Sequence, residues 1–395
     1  MPQDDLTRRL FLRTASTGLI AAAVAPASVQ LAPPEKQPPR LQVPQSKQKL
    51  GWAIVGLGTL ALNEIMPAFG QCDRSRPTAL VSGHRDKAMK TAAAYGVDEK
   101  SVYSYEDFDR IADNPAIDIV YIVLPNHMHA EFTIRALKAK KHVLCEKPLS
   151  ATVEEARQMC DAAKQNGRQL MTAYRLHYEP HHKRAIELAR TQLGTLKTFD
   201  ATNNQNVTAP NIRLSRETAG GPVGDVGVYC INAARYITGE EPTEVVAFAN
   251  QPKDDPRFAE VTESVAWTMR FPSGVLANCA CSFGSAGSRI MNAVGTKGSL
   301  LMTDAFGYSG QRLIHNSGGM ASELKLPSVD HFAVQMDHFS ESIAENKPNR
   351  TPGEDGLQDM IIVEAIHRAA SEGRAVKIEG AVKESPDPFV REPKA

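Results

Sequence analysis

Residues 52–61, WAIVGLGTLA, decide the fold class of this 395-residue chain. Apolar residues that predict a short buried strand run directly into a turn containing Gly56, Leu57, Gly58 and Ala61. Two glycines let the backbone turn tightly and approach a pyrophosphate, and a small residue at the last position lets a helix pack on the strand. The N-terminus of that helix stabilises phosphate charge. The stretch predicts a dinucleotide site at these four residues. A glycine-rich turn that binds no ligand is the alternative.

The residues around this turn alternate between strand and helix patterns. Further strands are predicted at 78–81, 117–124 and 142–145, and helices at 87–95 and 130–139. Thr152 and Glu155 form a capping-box pattern that opens another helix, to about Gln165. Strands that alternate with helices imply a parallel sheet covered on both faces. We therefore expect an α/β Rossmann domain over residues 49–173.

The second half of the chain has a different pattern. Apolar and polar residues alternate through 261–271 and again through 275–283, on either side of a Pro-Ser-Gly turn. Helices are predicted at about 331–345 and 354–372, the latter stopped by Gly373. This predicts an α+β domain over 174–379, with a large open, mainly antiparallel sheet for substrate binding and oligomerisation. Residues 380–395 would form a C-terminal tail.

The N-terminus carries a targeting signal. Residues 7–13, TRRLFLR, match a twin-arginine export motif, followed by an apolar run at 18–25 and small residues at 25–27. We predict a signal peptide at 1–27, handled by the twin-arginine translocase and removed in the periplasm. A membrane anchor, the alternative, would need about 20 apolar residues. The proline-rich stretch at 28–48 is predicted to be an extended arm, with a flexible tether as the alternative.

Composition excludes several function classes. Lys plus Arg and Asp plus Glu number 45 each, so no basic surplus favours nucleic acid or acidic membranes. The six cysteines contain no Cys-x-x-Cys pair, which argues against a zinc site and favours free, buried thiols. The histidine pairs lie too close in sequence to form a ligand set alone. We expect no metal.

The end of the second strand indicates which nucleotide binds. An NAD enzyme usually places Asp or Glu there to hold the ribose hydroxyls. Here the strand ends at Ser82, followed by Arg85 and Lys87, with no acid at the tip. These side chains can donate hydrogen bonds to a 2′-phosphate. NADP is therefore predicted. In the alternative interpretation, Arg85 and Lys87 merely begin a solvated helix.

Two further segments suggest catalysis. Lys147 follows the fourth strand, and open parallel sheets bind ligands beyond their carboxyl ends. After the glycine-rich run at 220–224, a helix is predicted to begin near Asp225, with Tyr229 and Asn232 on the same face. A polar stripe on an apolar helix is either a pocket wall or a satisfied core network, and both interpretations stay open here.

These motifs together resemble the Gfo/Idh/MocA family of oxidoreductases. The resemblance extends over about residues 50–379 and is carried by Gly56-x-Gly58-x-x-Ala61, Pro125-Asn126-x-x-His129, Glu146-Lys147-Pro148 and Asp225-x-Gly227-x-Tyr229. It implies that Lys147 and Tyr229 are catalytic, with Tyr229 as the acid/base, and that Asp225 binds substrate hydroxyls. On the cofactor side it implies Ser82, Lys87, Pro125, Asn126, His129 and Glu146, with Tyr174 and Arg175 lining the cleft.

The resemblance also implies a function. Within the family, the motifs are most similar to members that couple oxidation of glucose to reduction of fructose. We expect a periplasmic homo-oligomer, dimer or tetramer, that keeps NADP bound, oxidises an aldose to its lactone and reduces a second sugar to an alditol. An NADP-dependent aldose dehydrogenase with exchangeable cofactor and an NAD-dependent glycoside hydrolase are the alternatives. Residues 84–85 and 203–216 look less like those glucose- and fructose-coupling members, so the identity of the sugars stays open.

Overall fold

The structure is a computed structural model that describes residues 49–380. The predicted signal peptide at 1–27, arm at 28–48 and tail beyond Gly380 lie outside the described residues. The strands of the first lobe are β1 Leu50–Val55, β2 Ser75–Val81, β3 Val102–Tyr103, β4 Ile119–Ile122, β5 His142–Cys145 and β6 Leu170–Thr172. Its helices are α1 Met66–Ala68, α2 Arg85–Tyr95, α3 His129–Lys138 and α4 Val153–Asn166.

The first lobe is a parallel six-stranded sheet in the order β3-β2-β1-β4-β5-β6. This confirms the predicted Rossmann fold. Trp52 of β1 is completely buried and packs edge-on against Phe69, Tyr121 and Phe339, so one face of the sheet is covered by a single aromatic cluster. The predicted strand at 117–124 is shorter than expected, because β4 pairs with its neighbours only from Ile119 to Ile122.

The predicted capping box opens α4. The backbone N–H of Glu155 donates to the Thr152 hydroxyl at 3.2 Å, and the Thr152 N–H donates to the Glu155 carboxylate at 3.1 Å. These bonds satisfy donors that the first helical turn leaves without partners. The helix ends at Gly167, whose φ of 62° is in the left-handed region.

The second lobe contains a nine-stranded sheet. Its strands are β7 Leu196–Asn206, β8 Glu244–Asn250, β9 Ser264–Arg270, β10 Leu276–Ser282, β11 Gly284–Gly295, β12 Gly298–Thr303, β13 Arg312–Ser317, β14 Met320–Leu324 and β15 Val376–Lys377. Its helices are α5 Pro180–Thr191, α6 Val228–Thr238, α7 His331–Ala344 and α8 Gly353–Glu372.

The strand order is β14-β13-β12-β11-β7-β10-β9-β8-β15, and every pair is antiparallel except β7 with β10. The mainly antiparallel sheet predicted from the sequence is thus confirmed. Alternate residues of β9 and β10, such as Trp267 and Cys279, are buried against helices, while their neighbours face outward. All six cysteines are buried free thiols, as predicted.

A buried ion-pair network in the second lobe is linked to the first lobe by a hydrogen bond. Arg235 of α6 contacts Asp355 at 2.7 Å and Asp359 at 2.5 Å, both on α8, and it also pairs with Glu241 at 2.8 Å. The Tyr174 hydroxyl, just after β6, donates to Asp359 at 2.5 Å. The last strand of the first sheet is therefore tied to two helices of the second lobe.

Residues 49–380 contain neither a membrane-spanning helix nor a metal-binding cluster. No described helix is both long and apolar enough to cross a bilayer. Nor does this part of the chain bring together three or more His, Cys, Asp or Glu side chains in a metal-binding group.

Candidate active site

The glycine turn after β1 has one glycine fixed by packing and one left open. Gly56 has φ +94°, and a Cβ there would lie 2.3 Å from the carbonyl oxygen of Val123. At Gly58, which is exposed, a Cβ would meet no atom within 4 Å. Leu57 and Ala61 are buried, so only the backbone at these positions can face a ligand. An open glycine backbone at the carboxyl end of a parallel strand fits a dinucleotide pyrophosphate.

The side chains beyond β2 fit a phosphorylated ribose. Ser82 is nearly buried, with its hydroxyl accepting from the His84 N–H at 3.1 Å. Arg85, at the first position of α2, is exposed, and Lys87 is partly buried, which lowers the pKa of its ammonium. Two cations and a hydroxyl suit a 2′-phosphate, while no acid follows the strand directly. This arrangement favours NADP over NAD.

Lys147 lies at the centre of the site. Its Nζ donates to the backbone oxygen of Asp225 at 2.8 Å and to Oδ1 of that residue at 3.1 Å, and it lies 4.8 Å from the centre of the Tyr229 ring. Burial alone would lower the pKa of Lys147, but Asp225, Tyr229 and Glu146 raise it above its usual value. The ammonium is therefore fixed and charged. The structure brings together the three residues predicted to be catalytic.

Asp225 is held between two cations. Arg213 donates from Nε to Oδ2 at 2.6 Å, opposite the Lys147 contact, and Gln205 adds a bond to Oδ2 at 3.3 Å. Burial would raise the pKa of Asp225, but Lys147 and Arg213 together hold it well below its usual value. Asp225 is therefore an ionised acceptor that can hold a substrate hydroxyl.

The helix that carries Asp225 and Tyr229 divides into two functional parts. It begins as a π-helical turn at Val223–Gly227 and continues as α6. A Cβ at Gly227 would come within 3.1 Å of the Cys281 sulfur, so glycine lets the helix approach the sheet. Asn232 accepts from His177 at 2.8 Å and donates to Asp359 at 3.1 Å. The polar stripe is thus a pocket wall at Asp225 and Tyr229 but core network at Asn232.

Arg175 supports the Tyr229 ring. Its Nη atoms donate to the backbone oxygens of Phe306 at 2.8 Å and Gly307 at 2.9 Å. The guanidinium carbon lies 5.3 Å from the centre of the Tyr229 ring and 4.6 Å from that of Tyr308. With Nη2 3.4 Å from the Tyr229 hydroxyl oxygen, Arg175 is a second cation beside this phenol.

Two residues of the site have no counterpart among the sequence predictions. Tyr308 is 50% exposed, and its ring centre lies 4.6 Å from the Arg175 guanidinium carbon. Arg213 belongs to the segment between β7 and α6 that departs from the family pattern. No motif marks either residue, because each lies in an irregular segment whose position depends on long-range packing.

Three residues predicted on the cofactor side do not lie there as expected. The His129 ring is completely buried, with its nitrogens 2.8 Å and 2.9 Å from the carbonyl oxygens of Pro148 and Leu124, so it cannot face a nicotinamide. Tyr174 is buried in the inter-lobe network. Glu146 is buried, accepts from the Tyr121 hydroxyl at 2.7 Å, and has its pKa raised by that burial. All three position the chain around the site instead.

The loop after β4 connects the lobes at the mouth of the site. Pro125 and Asn126 are partly exposed, and the Asn126 amide donates to the backbone oxygen of Ala219 at 3.0 Å. These two predicted residues thus keep surface available for a ligand while bracing the segment that carries Arg213.

Known proteins resemble both lobes. Residues 50–174 match an oxidoreductase family with an NAD-binding Rossmann fold, and residues 183–301 match the GFO/IDH/MocA C-terminal domain. The chain is 29% identical to the NADP-dependent D-xylose 1-dehydrogenase of Haloarcula marismortui, over 83% of this chain and 93% of that protein. It is 28% identical to the 1,5-anhydro-D-fructose reductase of Ensifer adhaerens, over 83% and 98%. A crystal structure of aldose-aldose oxidoreductase from Caulobacter crescentus, complexed with glycerol, superimposes with a TM-score of 0.82 at 42% identity, over 84% of this chain and all of that one.

Proposed function

The chain belongs to the Gfo/Idh/MocA family of oxidoreductases, and we propose that it is an NADP-dependent enzyme acting on the CH–OH groups of sugars. One observation carries the proposal: Lys147, Asp225 and Tyr229 meet beside the carboxyl ends of the parallel strands, where the open glycine turn also lies. Relatives named as NADP-dependent xylose dehydrogenases and as an aldose-aldose oxidoreductase support this substrate class and cofactor.

In this proposal the backbone from Gly56 to Gly58 holds the pyrophosphate, and Ser82, Arg85 and Lys87 hold the 2′-phosphate. When bound, the nicotinamide accepts hydride from one sugar or gives it to another. The chain supplies the proton chemistry. Tyr229 takes the proton of the sugar hydroxyl during oxidation and returns a proton to the carbonyl oxygen during reduction.

The surrounding charges make this proton transfer feasible. Negative charge that develops on the Tyr229 oxygen during proton transfer would lie near both the Lys147 ammonium and the Arg175 guanidinium. Asp225, kept ionised by Lys147 and Arg213, accepts a hydrogen bond from a neighbouring sugar hydroxyl and orients the reacting carbon.

We further propose a cycle with two substrates and retained cofactor. One aldose, glucose-like, is oxidised to its lactone, and a second sugar, a fructose-like ketose or another aldose, is reduced to an alditol. The 42% identical aldose-aldose oxidoreductase supports such coupling. The export motif at 7–13 supports it too, because a folded, loaded protein carried to the periplasm would have no free NADP pool there. The xylose dehydrogenases instead favour an aldose dehydrogenase with exchangeable cofactor.

Purification without added nucleotide tests these proposals. We expect NADP or NADPH to co-purify, identified by mass spectrometry after denaturation. An aldose added alone should reduce the bound cofactor once, and an aldose with fructose or xylose should turn over continuously. Continuous formation of free NADPH with excess NADP would instead establish the exchangeable dehydrogenase. Release of the aglycone from an aryl glycoside would establish the hydrolase, and no hydride transfer from any aldose would refute a sugar oxidoreductase.

The outer face of the nine-stranded sheet supports the proposal of a homo-oligomer. Phe248 is 75% exposed, and Ile290 is 42% exposed in the same row across the sheet, with Ala266, Ala280 and Thr202 between them. An apolar row on an open sheet is a surface that a second copy can cover. Light scattering should give a dimer or tetramer, and Phe248→Asp should shift it toward monomer. Periplasmic location is tested by cell fractionation with and without Arg8 and Arg9.

A further inference from the structure

The segment between β7 and α6, which we call the 207–221 loop, holds the backbone of Arg213 in place. The Gly221 N–H donates to the Arg213 carbonyl oxygen at 2.9 Å, and the Asn211 side chain accepts from the Arg213 N–H at 3.0 Å. A Cβ at Gly220 would lie 2.4 Å from that same carbonyl oxygen. The close approach at Gly220 is thus made by the loop to itself. Its effect is to fix Arg213.

The same loop is anchored to both lobes. Asn126 of the first lobe donates to the Ala219 carbonyl oxygen at 3.0 Å. On the other side, the Ser215 hydroxyl and the Arg216 N–H donate to the Glu260 carboxylate at 3.0 Å and 2.9 Å. The loop therefore spans the mouth of the site, and the direction in which Arg213 projects is determined by both lobes.

The Arg213 guanidinium has donors to spare. Its Nε is used for Asp225 Oδ2 at 2.6 Å, but neither Nη atom has a hydrogen-bond partner among residues 49–380, and the side chain is 45% exposed. Asp225, despite the opposing effect of burial, raises the pKa of Arg213, and Tyr308 and Tyr229 contribute in the same direction. A permanently charged guanidinium, with its Nη groups available to a ligand, therefore lies beside the residues that line the site.

We propose that Arg213 is a substrate-binding residue that determines which sugar is accepted. Its two Nη groups donate to adjacent sugar hydroxyl oxygens on the side of Asp225 opposite Lys147, so sugars that differ in configuration there are discriminated. A planar guanidinium matches two neighbouring oxygens, whereas an ammonium offers a single point charge. The inference rests on the proposed function, because it assigns a role within the same site.

Arg213→Lys is the test variant, since it keeps a cation beside Asp225 but removes the fork. Kinetics of the retained-cofactor enzyme should be measured with a panel of epimeric aldoses, at saturating second sugar. We expect kcat/KM for the preferred aldose to fall about 10- to 100-fold, mainly through KM, as for loss of hydrogen bonds to a charged donor. Preference over its epimers should fall at least about tenfold. We expect the same losses of kcat/KM and of epimer preference for Arg213→Gln, which serves as the test variant if Arg213→Lys does not fold.

Arg216→Lys is the matched control, because Arg216 belongs to the same loop but contacts Glu260. We expect its sugar preference to stay within about twofold of the wild type, with unchanged nucleotide content. If Arg213 merely positioned Asp225, its variants would lower kcat equally for every sugar and leave the preference among epimers unaltered. That result would overturn the role of Arg213 in sugar recognition but not the proposed function. A wild-type enzyme that transfers hydride from no aldose would instead refute the proposed function, and the inference with it.

Discussion

Replacing Lys147 by methionine should remove most of the activity while leaving the fold intact. Methionine keeps the aliphatic stem but deletes the ammonium. The Lys147 Nζ lies 4.8 Å from the centre of the Tyr229 ring, and we take this distance as the charge separation. The attraction between the ammonium and a Tyr229 phenolate is then about 3.5 kcal/mol at an effective dielectric constant of about 20. That energy corresponds to a rate loss of about 300-fold. Arg175 stays beside the phenol, so some activity should remain.

The assay is single-turnover reduction of the bound nucleotide after mixing with excess aldose, followed by absorbance of the reduced form. Lys141→Met is the matched control, because Lys141 lies just before β5 as Lys147 lies just after it. Within residues 49–380 the Lys141 ammonium donates only to the Asn114 carbonyl oxygen, at 3.0 Å. Asp225 keeps its Arg213 partner in the Lys147 variant, so the melting temperature should change little. A Lys147→Met rate within about threefold of the control would show that the phenol does not depend on this ammonium.

The glycine turn and Asp225 give three further predictions. Gly56→Ala should destabilise the protein by at least about 2 kcal/mol, because its φ is positive and its Cβ would collide with Val123. Gly58→Ala should unfold at the same denaturant concentration as the wild type, because a Cβ there meets no protein atom. It should nevertheless purify with less bound nucleotide. A nucleotide content equal to that of the wild type would contradict a pyrophosphate at this turn. The third variant, Asp225→Asn, should be about 3 kcal/mol less stable near neutral pH. The pKa of Asp225 in the folded protein lies below its unfolded value of about 4, so the stability that its charge provides is lost as the pH falls below about 4. The difference in unfolding free energy between wild type and Asp225→Asn should therefore narrow on acidification. A difference that widens in denaturant titrations at acidic pH would refute the ion pairing of Asp225.

Local patterns in the sequence predicted much of the fold, and they did so where one segment determines its own structure. The glycine turn follows a short apolar run, and the capping box at Thr152 and Glu155 satisfies its own helix. The parallel pairing of β7 with β10 was not predicted, because residues 196–206 and 276–282 are joined only by the tertiary fold. No sequence pattern identified β7 itself as a strand either.

The sequence predicted only those site residues that lie in local motifs. Lys147, Asp225 and Tyr229 carry motifs, and the structure brings them together. His129 also lies in a motif, but only the structure shows that its ring bonds to two backbone carbonyl groups. Arg213 and Tyr308 have no motif, since each enters the site from an irregular loop. A motif indicates that a residue type matters at a position without distinguishing contact with a ligand from support of the chain.

The hydrogen bond from the Tyr174 hydroxyl to Asp359 limits how the two lobes can open. Swinging the lobes apart at Tyr174 would remove a donor from this buried carboxylate, at a cost of about 1–3 kcal/mol. The Asn126–Ala219 contact between the lobes is a single hydrogen bond of about 1 kcal/mol between partly exposed residues. In the proposed cycle with retained cofactor, opening at this contact would let sugars exchange while the larger dinucleotide stays bound.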